Sequence, residues 1–145
     1  MSTEAESRNK AILREFIQVV WNEGRLDQAN RYFAEDVVDY GPEPIVGLDA
    51  FTSLIGAFRR AAPDIEWSID KMVAEGDFVV LRWTARGTHT GSLMGIPPSG
   101  KRVVVTGFGM NRMVDGKTVE HWRSYDERGM LQQIGAVSSA KEWAA

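Results

Sequence analysis

Apolar residues recur at helical spacing up to about residue 60, and at a spacing of two through most of the remaining chain. Between Glu6 and Trp21, Ile12, Phe16, Val19 and Val20 fall on one helical stripe, and "NEG" (22–24) supplies the stop. Leu26, Ala29, Tyr32 and Phe33 predict a second, shorter helix over Leu26–Phe33. "AEDVVDYGPEPIVG" reads as a short extended piece ended by two prolines. Leu48, Phe51, Ile55 and Phe58 form the apolar stripe of a third helix over Leu48–Arg60.

After "AAPD" (61–64), Ile65, Trp67 and Ile69 alternate with Glu66, Ser68 and Asp70, the mark of a half-buried strand. Strands are predicted over 78–90, 102–114 and 117–126, with hairpin turns at "EGD" (75–77) and "DG" (115–116). The tail "ERGMLQQIGAV" turns away from the sheet. Helices followed by a meander make an α+β fold: a curved antiparallel sheet wrapped around N-terminal helices, a cone or α+β barrel with an internal cavity. Gly107 and Gly109 interrupt one strand and are read as a bulge or bend that curves it. The expected unit is a single domain over residues 1–145.

Composition narrows the function classes. The chain is 43% hydrophobic and 26% charged, with a net charge of −3 and no basic stripe, which argues against nucleic-acid binding. There is no cysteine, hence no thiolate chemistry. The start "MSTEAESRNK" is polar, and no run approaches the ~18 apolar residues of a membrane span, so a cytoplasmic protein is expected. "GFGMNR" lies inside a strand and ends in Arg, so it is no dinucleotide loop. His89 and His121, the two histidines, lack an obvious third ligand, and neither a metal nor an organic cofactor is expected.

The candidate chemistry centres on Asp126, His89, Arg82 and Tyr40. Asp126 shares a strand face with Trp122 and Ser124, so an inward Trp122 would bring its carboxylate inward beside the indole. The competing reading makes Asp126 the cap of a helical turn starting at Glu127. His89, in "GTHTG", is either an acid/base or a loop anchor. Arg82 would pair with Asp126 or bind an anionic oxygen, while Tyr40, next to Asp39 at the pocket rim, would donate to a carbonyl. Trp122, Phe58, Phe108 and Trp21 are expected to line a cavity for a small apolar or polycyclic molecule, capped by Leu93, Met94 and Ile96.

Several blocks carry a resemblance: "AAPDIEW" (61–67), "AEGDFVVLRWTARGTHTGSLMGIPPSGKRV" (74–103) and "DGKTVEHWRSYDERGMLQQIGA" (115–136). Through them the chain resembles the SnoaL-like polyketide cyclases, or ester cyclases, of the nuclear-transport-factor-like cone fold. The resemblance implies ring closure by intramolecular aldol condensation of an apolar, cyclic ketone, with Asp126 at the acid/base position. It also implies a partner histidine in the strand before the hairpin, where this chain reads Met110-Asn111-Arg112, and a histidine where Tyr40 stands. Homodimers paired through the outer sheet face are implied as well. A non-catalytic ligand-binding cone is the main alternative. An epoxide hydrolase would need an Asp-Arg-Asp set, available only if Asp39, Arg82 and Asp126 converge.

Overall fold

The computed structural model describes residues 1–137; positions 138–145 of the expected domain lie outside the described residues. Helix α1 (Glu4–Phe16) opens on a capping box in which the Thr3 hydroxyl accepts from Glu6 N–H and Glu6 accepts from Thr3 N–H. The other Glu6 oxygen accepts from Gly76 N–H at 2.7 Å, tying the helix start to a distant hairpin. The helix continues as a π-helical stretch over Ile17–Asn22, and a 3₁₀ turn comes next over Leu26–Arg31. The predicted second helix therefore stops early, and Phe33 instead opens strand β1 (Phe33–Tyr40). Tyr32 and Phe33 are both buried, a pattern that helix and strand share over so short a span.

A three-residue strand β2 (Pro44–Val46) pairs antiparallel with β1, and helix α2 (Leu48–Ala61) then carries the chain across the sheet. Strands β3 (Glu66–Glu75), β4 (Phe78–Thr88), β5 (Arg102–Val114) and β6 (Lys117–Tyr125) form an antiparallel meander, closed by helix α3 (Glu127–Gln133). The order is β2-β1-β6-β5-β4-β3, a curved and unclosed sheet of the cone type. One pairing departs from the all-antiparallel expectation: β1 and β6 run parallel. Alternation reports which face a residue takes and carries no strand direction, so the sequence pattern could not reveal this. Because α2 returns the chain to the far edge, the meander ends with β6 beside β1 and pointing the same way.

The inner face packs against α1 and α2 through Leu13, Phe16, Val20, Phe33, Val37, Phe51, Ile55, Val79, Leu81 and Trp83, all buried. A smaller apolar group of Ala61, Leu93, Met130 and Ile134 closes the end under α3. Bulges fall between Ile69 and Lys71, between Arg112 and Met113, and in β1. None falls at Gly107 or Gly109, whose register through β4 and β6 is continuous. Those glycines instead make room for side chains. A Cβ on Gly107 would lie 2.5 Å from the Trp83 ring and 2.7 Å from Ser124 O, and one on Gly109 would lie 3.1 Å from His121 Nε2. Gly107→Ala is therefore expected to destabilise the protein by about 1–3 kcal/mol through overpacking. Urea unfolding measures this; an unchanged midpoint would refute it.

Candidate active site

Strand register brings three inward positions into one row: Asp39 of β1, His121 of β6 and Asn111 of β5. Asp39 is fully buried, with its two oxygens divided between two cations or potential cations. His121 Nδ1 lies 2.6 Å from Oδ1, and Arg123 Nε lies 2.6 Å from Oδ2. Burial alone would raise the Asp39 carboxyl; hydrogen bonds and charge from His121 and Arg123 outweigh it and hold the group below the ordinary aspartate range. The ionised Asp39 can only accept, so the neutral His121 ring carries its proton on Nδ1 and offers a lone pair at Nε2. That nitrogen is the ring atom nearest to the open side of Gly109.

His121, Arg123 and Asn111 form one polar end of a largely apolar cavity of about 140 Å³. Asn111 is committed, accepting from the Thr118 hydroxyl at 3.2 Å. Arg123 packs over Gly41, where a Cβ would meet its guanidinium at 2.6 Å. The walls are aromatic: Trp21 stacks on Trp67 at 4.4 Å between ring centroids, Trp67 on Trp83 at 4.0 Å, and Phe58 meets Tyr125 edge-on. Burial, reinforced by the Glu127 charge, pushes the Tyr125 phenol above its ordinary range, keeping it a donor. The π-helical stretch turns Trp21 onto this wall, and its carbonyl accepts from Arg59.

The expected site residues divide between the two faces of the sheet. Trp21 and Phe58 line the cavity, as does His89, which is 2% exposed. Asp126 does not. Strand β6 ends one residue short of the expected 126, and the exposed Asp126 carboxylate accepts from Gly129 N–H at 2.9 Å as the cap of α3. Trp122 stacks on Tyr40 outside the sheet, and the Tyr40 hydroxyl donates to Glu120 at 3.1 Å. Arg82 lies on the outer face too, bonded to Asp70 at 2.6 Å, and Phe108 is 55% exposed. The Asp39–Arg82–Asp126 set therefore does not form.

Of the three expected lid residues, Leu93 is buried and Ile96 packs beside it. Met94 is 55% exposed, because Leu93 and Ile96 bridge each other across a turn with Met94 and Gly95 both at positive φ (51° and 77°). Met94 is thus the turn's tip and points to solvent. Two residues of the site, His121 and Arg123, escape the sequence pattern as candidates. Their signal is nonetheless present in "HWRSY": if Trp122 faces out, His121, Arg123 and Tyr125 must face in.

Among the described residues no group of three His, Cys, Asp or Glu side chains gathers. None of the described helices is long and apolar enough to cross a membrane. The fold and cavity define an α+β cone with a buried polar cluster at one end of a largely apolar chamber. The family model of SnoaL-like polyketide cyclases matches residues 11–134, and the chain belongs to that family. It is 30% identical over 122 residues to nogalonic acid methyl ester cyclase of Streptomyces nogalater, covering 79% of this chain and 89% of that protein. It is 25% identical over 142 residues to aklanonic acid methyl ester cyclase DnrD of Streptomyces peucetius, covering 93% and 92%. Among solved structures it is similar to AclR of Streptomyces galilaeus, called a candidate hydroxylase, with a TM-score of 0.85, 29% identity and coverage of 97% and 95%.

The buried Asp39 sets an acid limit on stability. Its folded value lies below the ordinary ~3.9, so the stability it adds is complete above that pH. It is lost as pH falls through the lower folded value. Asp39→Asn is expected to cost about 3 kcal/mol or more at neutral pH and to weaken the acid dependence. Unfolding of both proteins from about pH 7 to about pH 3 checks this, and parallel acid curves would refute it.

Proposed function

We propose that the protein is an acid/base enzyme that closes a ring in a polyketide-derived ester, with His121 as the base and Asp39 as its positioning partner. The observation that carries this reading is the 2.6 Å contact between His121 Nδ1 and a fully buried carboxylate, which leaves Nε2 directed at an apolar cavity. Nε2 removes a proton α to a carbonyl, and the resulting enolate carbon attacks a second carbonyl of the same molecule. A C–C bond forms, and the new alkoxide takes the proton back from Nε2. Atoms and charge balance without oxidant or hydride carrier. Asp39 stabilises the transient imidazolium, while Arg123 and the Tyr125 hydroxyl, which line the same cavity, donate to the developing oxyanion.

The substrate class comes from the methyl ester cyclases among the relatives and from the aromatic walls formed by Trp21, Phe58 and Trp83. With nogalonic acid methyl ester as substrate, His121→Phe is expected to lower turnover by ~10²-fold or more, the usual worth of a positioned acid/base. Asp126→Asn should leave turnover within about twofold, since Asn caps a helix about as well as Asp. Loss of turnover in Asp126→Asn with retention in His121→Phe would reverse the assignment. Binding without any turnover by the native chain would instead favour a non-catalytic cone.

The acidic, cysteine-free composition also supports a cytoplasmic protein, and the outer sheet face supports a homodimer. Val104 and Phe108 stand 47% and 55% exposed on that face. Sedimentation equilibrium is expected to give twice the chain mass, falling to one chain in Phe108→Glu. A monomer in the native chain would refute the pairing.

A further inference from the structure

His89 lines the same cavity, beyond the end of β4 and nine residues along β5 from the Asn111 that faces His121, as do Leu93, Met130 and Ile134. Its backbone is locked by the next loop: His89 N–H donates to Lys101 O at 2.9 Å, and Gly100 N–H donates to His89 O at 2.8 Å. Its ring is oriented by the same loop. Ser99 N–H donates to Nδ1 at 3.1 Å, and the Ser99 hydroxyl lies 2.9 Å away. A backbone N–H can only donate, so Nδ1 accepts and the neutral ring carries its proton on Nε2. Nε2 is buried and has no hydrogen-bond partner among the described residues. A buried donor without an acceptor is costly, and native proteins rarely leave one unless something else satisfies it.

We infer that His89 Nε2–H is a substrate-binding donor, which receives a carbonyl or ether oxygen of the ligand at the far end of the cavity. The inference rests on the reading of this cavity as the substrate site. The two histidines then divide the labour by opposite tautomers. Asp39 fixes the Nδ1–H form of His121, leaving an acceptor at Nε2, whereas Ser99 fixes the Nε2–H form of His89, leaving a donor. One end of the cavity takes a proton and the other holds an oxygen. The aromatic stretch between them, formed by Trp21, Phe58, Trp83 and Tyr125, accepts the ring. A ligand lacking an acceptor oxygen at that end leaves Nε2–H unpaired, so His89 selects for oxygenated rings and sets their direction in the chamber.

The test uses 1-indanone and indane, bicyclic probes of nearly one shape that differ in a carbonyl, titrated by protein NMR against the whole chain. His89→Asn places a side-chain oxygen where Nδ1 stood, so it can still accept from Ser99 N–H while removing the Nε2 donor. In that variant the preference for indanone over indane is expected to fall roughly tenfold, about the worth of one buried hydrogen bond, with indane affinity unchanged. An unchanged preference overturns the proposal, as does failure of the native chain to bind either probe. The native chain supplies a second readout independent of any variant's folding. Its two histidines give two ring signals, and the His89 Nε2–H resonance should move with indanone and stay with indane. A resonance indifferent to indanone overturns the proposal. Both readouts report binding alone, so they can succeed or fail whatever the turnover of His121→Phe shows.

Discussion

A single buried carboxylate fixes the polar end of this protein. Asp39 has no access to water, and its charge is tolerable only because His121 and Arg123 each supply a donor at 2.6 Å. That requirement fixes more than a pair of contacts. His121 and Arg123 must be two apart on one strand so that both face inward, and β1 must lie beside β6 in the register that sets Asp39 opposite His121. The parallel pairing, the glycine at 109 that clears space for the imidazole, and the glycine at 41 that clears space for the guanidinium all serve this arrangement. With one oxygen given to each partner, neither carboxylate oxygen is free, and His121 keeps only its far nitrogen uncommitted to Asp39.

The outer face is organised by different rules. There Tyr40, Trp122 and Glu120 form a half-buried cluster, and Arg112 bonds Glu120 at 2.6 Å. Arg112 and the Tyr40 hydroxyl together hold the Glu120 carboxyl below its ordinary range, Arg112 contributing more. Polar and aromatic groups of this kind resemble a site when read along the chain, yet solvent screens them and they do not line the apolar cavity. Two faces of one sheet thus carry similar residue types with different consequences, and burial separates them.

The same division explains what is legible in the sequence. Helical stripes and strand alternation locate α1, α2 and the four meander strands, because each reports a face that must be buried. The blocks around "GTHTG" and "QQIG" carry the family. The candidate site is less legible, since alternation divides a strand into two faces without saying which is inner. Trp122 reads as inward because tryptophan is usually buried, and Asp126 goes with it to the wrong side. Trp122 buries its ring against Tyr40 outside the core, so its hydrophobicity is a poor guide to direction. Nor can spacing reveal that Asp39 meets His121, because their pairing depends on a parallel crossover that leaves no periodic trace.

That crossover has a consequence in time as well as space. Asp39 and His121 stand 82 residues apart in sequence, and their strands are joined through nearly the whole length of the chain between them. Every hairpin of the meander closes locally, whereas the β1–β6 seam must close a loop that contains α2 and four strands. Loop-closure entropy opposes such a seam until the intervening parts are compact, and topologies rich in distant pairings fold slowly. During synthesis β1 leaves the ribosome long before β6 exists, so its inner edge, with Asp39, waits unpaired while the middle of the chain takes shape. The buried Asp39–His121–Arg123 cluster is therefore assembled by the same late event that completes the sheet.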